Sequence, residues 1–478
     1  MSMTMNPRKF LERYSYALES DFVSPSGEPA TWAPGHPRRW GQERAKFQVD
    51  GQASTPDLSP DGKFLAVGMD RDIHIFDVAT QELIDVLKGH LGDVERVVFA
   101  AAGAGEMQKG ITYKLASQGS EEQGDSEGQM IILWDLDERG KLVCPEQRKP
   151  VDLDALATKT LQPLVSTLVD DHGWDASERA IGSVEEALRD ALCNAVVTHE
   201  REGKICFDGE FASFESPVFS PDHTTLVYIS QNNNTPSEPC EAELLPCVNL
   251  WDMETKSLRH RLSGHTDAIM RIAFNADGTL VASIAWDGTA RVWDVGSGVC
   301  LHVLGPLDGQ LWCGVFSPDS RYLAISQGSP DTIVHVYEID SEKPVSRFDA
   351  FRAWSRSLAW SPDGGMLAGG GDDGMLCLWD PYTGEECQRW RLAFADPIMR
   401  SMASLRGVQF VDGARKLLFQ IADGTVEVYD FERNLKQQFT RGPEDRIGGF
   451  PLAEMVCSVD SRLMVVPDAD GSLRVWDL

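Results

Sequence analysis

The residues able to do chemistry are spaced in ways that withhold the common catalytic arrangements. The segment 103–110 reads Gly-Ala-Gly-Glu-Met-Gln-Lys-Gly and lacks the Lys-Ser/Thr ending of a phosphate-cradling loop, so a flexible loop is expected there. No Gly-x-Ser-x-Gly elbow and no His-Glu-x-x-His pair occurs. Ten histidines are dispersed, with His260 and His265 the one close pair. Ten cysteines (144, 193, 206, 240, 247, 300, 313, 377, 387 and 457) form no Cys-x-x-Cys unit and read as reduced, mostly buried small hydrophobes. Carboxylates abound, but they sit at turns without the spacing of a catalytic pair. The Asn233-Asn234-Thr235 sequon carries no weight without a secretory signal. Catalytic residues, a metal and a cofactor are therefore not expected. What remains is binding chemistry. Trp286, Trp312, Trp354, Arg356 and Arg406 are of the types that dominate interface energetics.

A repeat must position them. A Pro-Asp-Gly-type turn recurs at Ser59-Pro60-Asp61-Gly62, Ser220-Pro221-Asp222, Asn275-Ala276-Asp277-Gly278, Ser317-Pro318-Asp319 and Ser361-Pro362-Asp363-Gly364. Proline presets φ while Asp and Gly accept the tight turn, so each marks a hairpin. Strands ending in aromatic-acid follow, with the acids at Asp77, Asp135, Asp252, Asp294, Glu338, Asp380, Asp430 and Asp477. Successive gaps are 58, 117, 42, 44, 42, 50 and 47 residues. The short ones match the roughly 40–45 residues of a four-stranded propeller blade. Six residues before the aromatic stand Asp70, Asp287, Asp331, Asp373, Asp423 and Asp470, in six of the eight repeats. The exceptions, Gly128 and Leu245, lie beside the segments 119–128 and 231–246, which read as polar loop insertions.

With these endings and spacings the chain resembles the WD40-repeat family over about residues 45–478. Gly89-His90 and Gly264-His265 stand where that family places Gly-His, and the resemblance implies a structural tetrad of His265, Ser283, Asp287 and Trp293. The expected fold is all-β: a WD40-type β-propeller of eight blades, with seven as the alternative. The last repeat stops at Leu478 after its third strand, so Lys46–Gly51 is expected to supply the fourth and close the ring.

Two segments fall outside the repeat. Residues 1–44 are expected to hold a short helix from Arg8 to Leu18 and then a Pro- and Trp-rich run that packs on the propeller. Residues 141–205, in the second blade, show apolar spacing (Leu153, Leu156, Leu161 and Leu164, then Ile181, Val184, Leu188 and Leu192) that predicts an inserted helical hairpin before the strand at Lys204–Phe207. It is read either as a lid on its own blade or as a docking arm.

The resemblance implies binding through loops on one ring face. Alignment on the Pro-Asp turns puts there Asp93 and Glu95, Met270, Trp312, Trp354 and Arg356, Ser404 and Arg406, with Trp286 and Asp372 beside the turn Asp. The three tryptophans are read as equivalent positions in adjacent repeats, forming with the arginines a patch for an acidic or phosphorylated peptide; packing between blades is the competing role for each. In a chain of 478 residues, 44 Lys+Arg against 74 Asp+Glu give a net charge of −30, which argues against direct nucleic-acid or membrane binding. The first residues lack an apolar signal region, so a soluble cytoplasmic or nuclear protein is expected. The expected function is a non-enzymatic scaffold or adaptor binding protein partners, a monomeric propeller within a multiprotein complex. An acidic escort for a basic client such as a ribosomal protein or histone is the alternative. A substrate receptor of a ubiquitin ligase is a third, although the residues after Trp-Asp (Leu-Asp, Met-Glu, Val-Gly, Pro-Tyr) do not fit the Trp-Asp-x-Arg of such members.

Overall fold

The computed structural model describes residues 18–49, 54–123, 126–143, 201, 204–213, 216–231, 245–328, 331–349, 351–394, 404–442, 454–458, 460–468 and 471–478. Strands of these residues pair into eight antiparallel sheets that follow one another along the chain as blades 1 to 8. The blades span residues 57–88, 94–208, 210–263, 269–304, 311–348, 355–394, 405–440 and 456–477, the last completed by Ala45–Gln48. Blade 4 shows the plan: Ile269–Phe274 is innermost, then Leu280–Ala285, Ala290–Asp294 and, outermost, Cys300–Leu304. Middle strands such as Phe64–Met69 are apolar at nearly every position because each sheet is covered on both faces. The cores accordingly lie between blades. Ala273, Ile284 and Val292 of blade 4 pack with Leu311, Leu323 and Ile325 of blade 5.

The recurrent turns work through their serines. Ser59, Ser220, Ser317 and Ser361 each donate to the Asp two residues on and accept a backbone N–H five residues on, with the second bond at 2.9–3.0 Å. Ser458 and Asp460 do the same without a proline, which hid this turn from the sequence pattern. The acids after the aromatics cap the following turn: Asp77 accepts from Ala79 and Thr80, and Asp380 from Tyr382 and Thr383.

Two sequence expectations change. Residues 119–128 are no loop insertion, for Tyr113–Gln123 and Ser126–Leu136 pair along their whole length as a hairpin. The loop at 103–110 holds a helical turn, Ala104–Met107, whose Glu106 pairs with buried Lys114 at 2.6 Å. Residues 144–200, where the helical hairpin is expected, lie outside the described residues, as do the turn residue Asp470 and residues 8–17 of the helix expected from Arg8 to Leu18, whose last residue instead begins a strand; the chain re-enters blade 2 through Ile205–Asp208, paired with Met130–Leu133.

The N-terminal segment straps three blades from outside. Leu18–Ser20 adds antiparallel to the outer strand of blade 6, and Thr31–Trp32 and Arg38–Arg39 add parallel to that of blade 7. Ala45–Gln48 then pairs with Ser472–Val475 as the outer strand of blade 8. Phe22 is buried under the strap, stacked on Tyr429 at 4.6 Å between centroids. Asp468, buried in blade 8, accepts from Trp40 Nε1 at 2.7 Å and from Arg474 Nη1 at 3.0 Å, and pairs with Arg441. Charges so deep survive because they are paired.

Candidate interaction face

One polar tetrad fixes the two loops that build the face. His265, in the loop entering blade 4, bonds Ser283 Oγ through Nε2 at 2.7 Å and Asp287 through Nδ1 at 2.8 Å, while Trp293 Nε1 donates to Ser283 at 2.9 Å. Burial alone would raise the Asp287 pKa, but hydrogen bonds from His265 and Thr289 hold it far below the usual carboxylate range. The entry loop and the loop bearing Asp287 therefore share one mouth of the ring. Blade 2 carries a second such lock: His90 Nε2 bonds Ser117 Oγ at 2.7 Å and Trp134 Nε1 donates to the same oxygen at 2.8 Å. Glu121, four residues after Ser117 as Asp287 is after Ser283, pairs there with Arg201 instead of the imidazole.

The inner strands deliver side chains to that mouth through β-bulges. In blades 2, 4, 5, 6 and 7 the pairing with the second strand skips one residue near the start of the inner strand: Glu95, Met270, Trp312, Arg356 and Arg406. A bulge leaves its extra residue outside the ladder and re-aims its side chain. The inner-strand positions expected at the face are these bulged residues, with Asp93, Trp354 and Ser404 two residues before a bulge.

The three tryptophans are not equivalent in the repeat, and the bulge register is the reason. Trp312 is bulged; Trp354 precedes the inner strand of blade 6, and Trp286 lies in the second-to-third-strand loop of blade 4. The backbone bonds Trp286 N to Ala268 O, Gly328 N to Gln310 O and Asp372 N to Trp354 O match these positions across blades 4, 5 and 6. Gly328 thus stands where blade 4 has Trp286. A Cβ on it would lie 2.5 Å from Trp312 Nε1, so the glycine gives the Trp312 ring its room.

From these different origins the rings converge. Trp286 meets Trp312 edge-on at 5.3 Å, and Trp312 stacks on Trp354 at 4.7 Å with 21° between planes. The Arg356 guanidinium lies 5.0 Å from the Trp312 centroid and 5.2 Å from that of Trp354, and its Nε donates to Asp372 at 3.0 Å. Trp312 is buried, 5% exposed, whereas Trp286, Trp354, Arg356 and Asp372 are half-buried. Glu95 stands apart in blade 2, where its carboxylate accepts from Gln118 and Gln129 at 3.0 and 2.9 Å. Met270 and Arg406 are half-buried at their own bulges. The aromatic cluster therefore spans blades 4 to 6, one arc of the mouth, and not a complete ring. Sequence reasoning missed Arg271, the buried neighbour of Met270; its signal was an arginine at an inward position of an otherwise apolar strand.

This architecture, a closed ring of four-stranded blades each sharing a strand with the next repeat, defines a β-propeller built from sequence repeats. Two segments, 256–294 and 342–380, match the family model described as WD domain, G-beta repeat. Each runs from the outer strand of one blade through three strands of the next. The chain is 28% identical over 201 residues to the periodic tryptophan protein 2 homolog of Schizosaccharomyces pombe, covering 38% of this chain and 22% of that protein. It is 27% identical over 269 residues to the small ribosomal subunit protein RACK1y of Oryza sativa subsp. japonica, covering 45% of this chain and 76% of that one. Among solved structures, the computationally designed Ika8 protein aligns with a TM-score of 0.53 at 15% identity, covering 90% of this chain and 98% of that one. The chain belongs to the WD40-repeat β-propeller family, and its ring has eight blades.

Proposed function

We propose that the chain is a non-enzymatic scaffold that binds a protein partner through the mouth of the ring at blades 4 to 6, as a subunit of a larger assembly in the cytoplasm or nucleus. The carrying observation is the Trp286–Trp312–Trp354 cluster, half-buried at Trp286 and Trp354, with Arg356 lying over it. Large rigid aromatic area loses little side-chain entropy on binding, and an arginine fork suits a carboxylate or phosphate on the incoming chain. The segment inserted between the third and fourth strands of blade 2 is a second contact region in this reading. Affinity purification with mass spectrometry tests both, comparing the full chain, Trp354→Ala and a deletion of residues 150–203. Loss of one partner set in Trp354→Ala supports the face, and loss in the deletion supports the insertion. Retention in both sinks the reading.

The net charge of −30 favours a second reading, an escort for a basic client. Capture of a basic protein that is lost as salt rises, and that Trp354→Ala leaves intact, would replace the first reading by this one.

A further inference from the structure

Arg271 follows the bulge of blade 4, as Arg96 follows that of blade 2. Arg96 is satisfied by the neighbouring blade: Nη1 donates to Ala212 O at 3.0 Å and Nη2 to Ser216 O at 2.8 Å. Arg271 is 8% exposed, yet its Nε and Nη1 are buried without an acceptor among the described residues. A buried donor left unpaired costs about 1–3 kcal/mol, more when charged, so these two arginine donors call for an acceptor.

The register says where that partner would lie. Arg271 stands opposite Ile284, so both side chains leave the same face of blade 4. That face meets blade 5, because Ile284 Cγ1 lies 2.6 Å from where a Cβ on Gly314 would sit. Two residues beyond Ile284, Trp286 bends over the same junction onto Trp312, and its Nε1 is likewise buried without an acceptor. Arg271 and Trp286 are thus carried on the blade 5 side of blade 4, close to the mouth end of the junction, with three buried N–H groups between them.

We propose that this junction is an oxyanion site in which Arg271 and Trp286 take the carboxylate or phosphate group of a peptide lying across the mouth. The inference rests on the face reading above and names the chemistry of its ligand. Arg356, whose Nε is held by Asp372, is a second cation on the same face and lies outside this site. Nε–H and Nη1–H leave different sides of the guanidinium, so the oxyanion takes one arginine N–H together with the indole N–H, and burial strengthens these charge-assisted bonds.

The experiment follows the Trp indole and arginine Nε–H resonances of the full chain while inorganic phosphate, or an N-acetylated triglutamate peptide, is added. The expected result is a saturable shift of the Trp286 and Arg271 signals with at least one probe; which probe acts separates phosphate from carboxylate. Arg271→Met and Trp286→Phe each weaken the response about tenfold or more, and Arg321→Gln, on an exposed turn, leaves it unchanged. If Arg271→Met does not fold, Trp286→Phe, which keeps the ring and removes only the donor, decides with the wild-type titration. No shift with either probe, or a shift that persists in both variants, overturns the proposal. Partner capture that survives Arg271→Met but fails in Trp354→Ala overturns this site alone; capture that survives Trp354→Ala overturns the face reading.

Discussion

Trp312 is sandwiched between neighbours while Trp354, stacked on it at 4.7 Å, keeps its other side half-open, so the same substitution should do different things at the two. Trp312→Ala removes a buried ring between blades 5 and 6 and is expected to cost about 3–5 kcal/mol of stability, read as a fall in Tm. Trp354→Ala should leave Tm within a few degrees and weaken partner binding by about thirtyfold or more. If Trp354→Ala lowers Tm as much as Trp312→Ala and binding persists, the cluster is core.

Asp468 holds two buried guanidiniums and the Trp40 indole, tying the strap to the last blade. Asp468→Asn keeps the shape and removes the charge, leaving Arg441 and Arg474 without their shared carboxylate. Breaking such a buried set is expected to cost about 3 kcal/mol or more, measured by urea unfolding. Removing residues 1–51 goes further, for it exposes the Ser472–Val475 edge that Ala45–Gln48 covers. Light scattering should then show aggregation, and a truncated chain that stays monomeric with unchanged Tm would contradict the closure.

The repeats were legible in sequence because the same side chains recur: Ser-x-Asp makes the turn in blades 1, 3, 5, 6 and 8, an aromatic followed by an acid precedes the next turn, and successive acids of blades 3 to 6 stand 42–44 residues apart. The first strand of blade 3 was faint for a physical reason. Among the described residues it pairs through the bridges Glu210–Ile229 and Phe219–Leu226 and the bond from Val227 N to Val218 O, with no continuous ladder, so no alternating apolar run marks it. The strap's strand pairings could not be read, since short edge pairings such as Arg38–Arg39 with Phe439–Thr440 need only backbone groups. Aligning on turns picks out the bulged positions, but a β-bulge adds one residue to one strand and not to its partner. Counting from the turn alone therefore put Trp286, Trp312 and Trp354 in one class when they occupy three. Glu121 was hidden differently: its partner Arg201 lies 80 residues away in sequence.

The two serine locks give a paired test. Ser283→Ala strands the Nε2 of His265 and the indole of Trp293; Ser117→Ala does the same to His90 and Trp134. Each is expected to cost about 1–3 kcal/mol. The double variant should be additive within about 0.5 kcal/mol, since the locks sit in separate blades with blade 3 between them. A Ser117→Ala variant as stable as wild type would show that blade 2 does not use this lock.

Acid and base should act on different buried groups. Burial, and then the charges of Arg201 and Lys204, push the His90 imidazole from 6.5 to about 3, so the folded protein keeps it neutral while the unfolded chain protonates. Between those values the unfolded state binds more protons, and stability falls as pH drops from about 6.5 toward 3. Glu427 runs the other way. Burial, opposed by the hydrogen bond from Gln438, raises it from 4.5 to about 7, so its contribution is present below 4.5 and lost as pH rises through 7. Each group alone gives a slope of about 1.4 kcal/mol per pH unit inside its window. Difference curves separate the two where the windows overlap: wild type minus His90→Gln should lose stability only on the acid side, and wild type minus Glu427→Gln only as pH rises toward 7. The measurement is urea unfolding at intervals from pH 4 to 8. A Glu427→Gln difference that is flat across that range would mean the carboxyl is ionised and solvated in the native protein, and that the junction of strap and blade 7 is open to water.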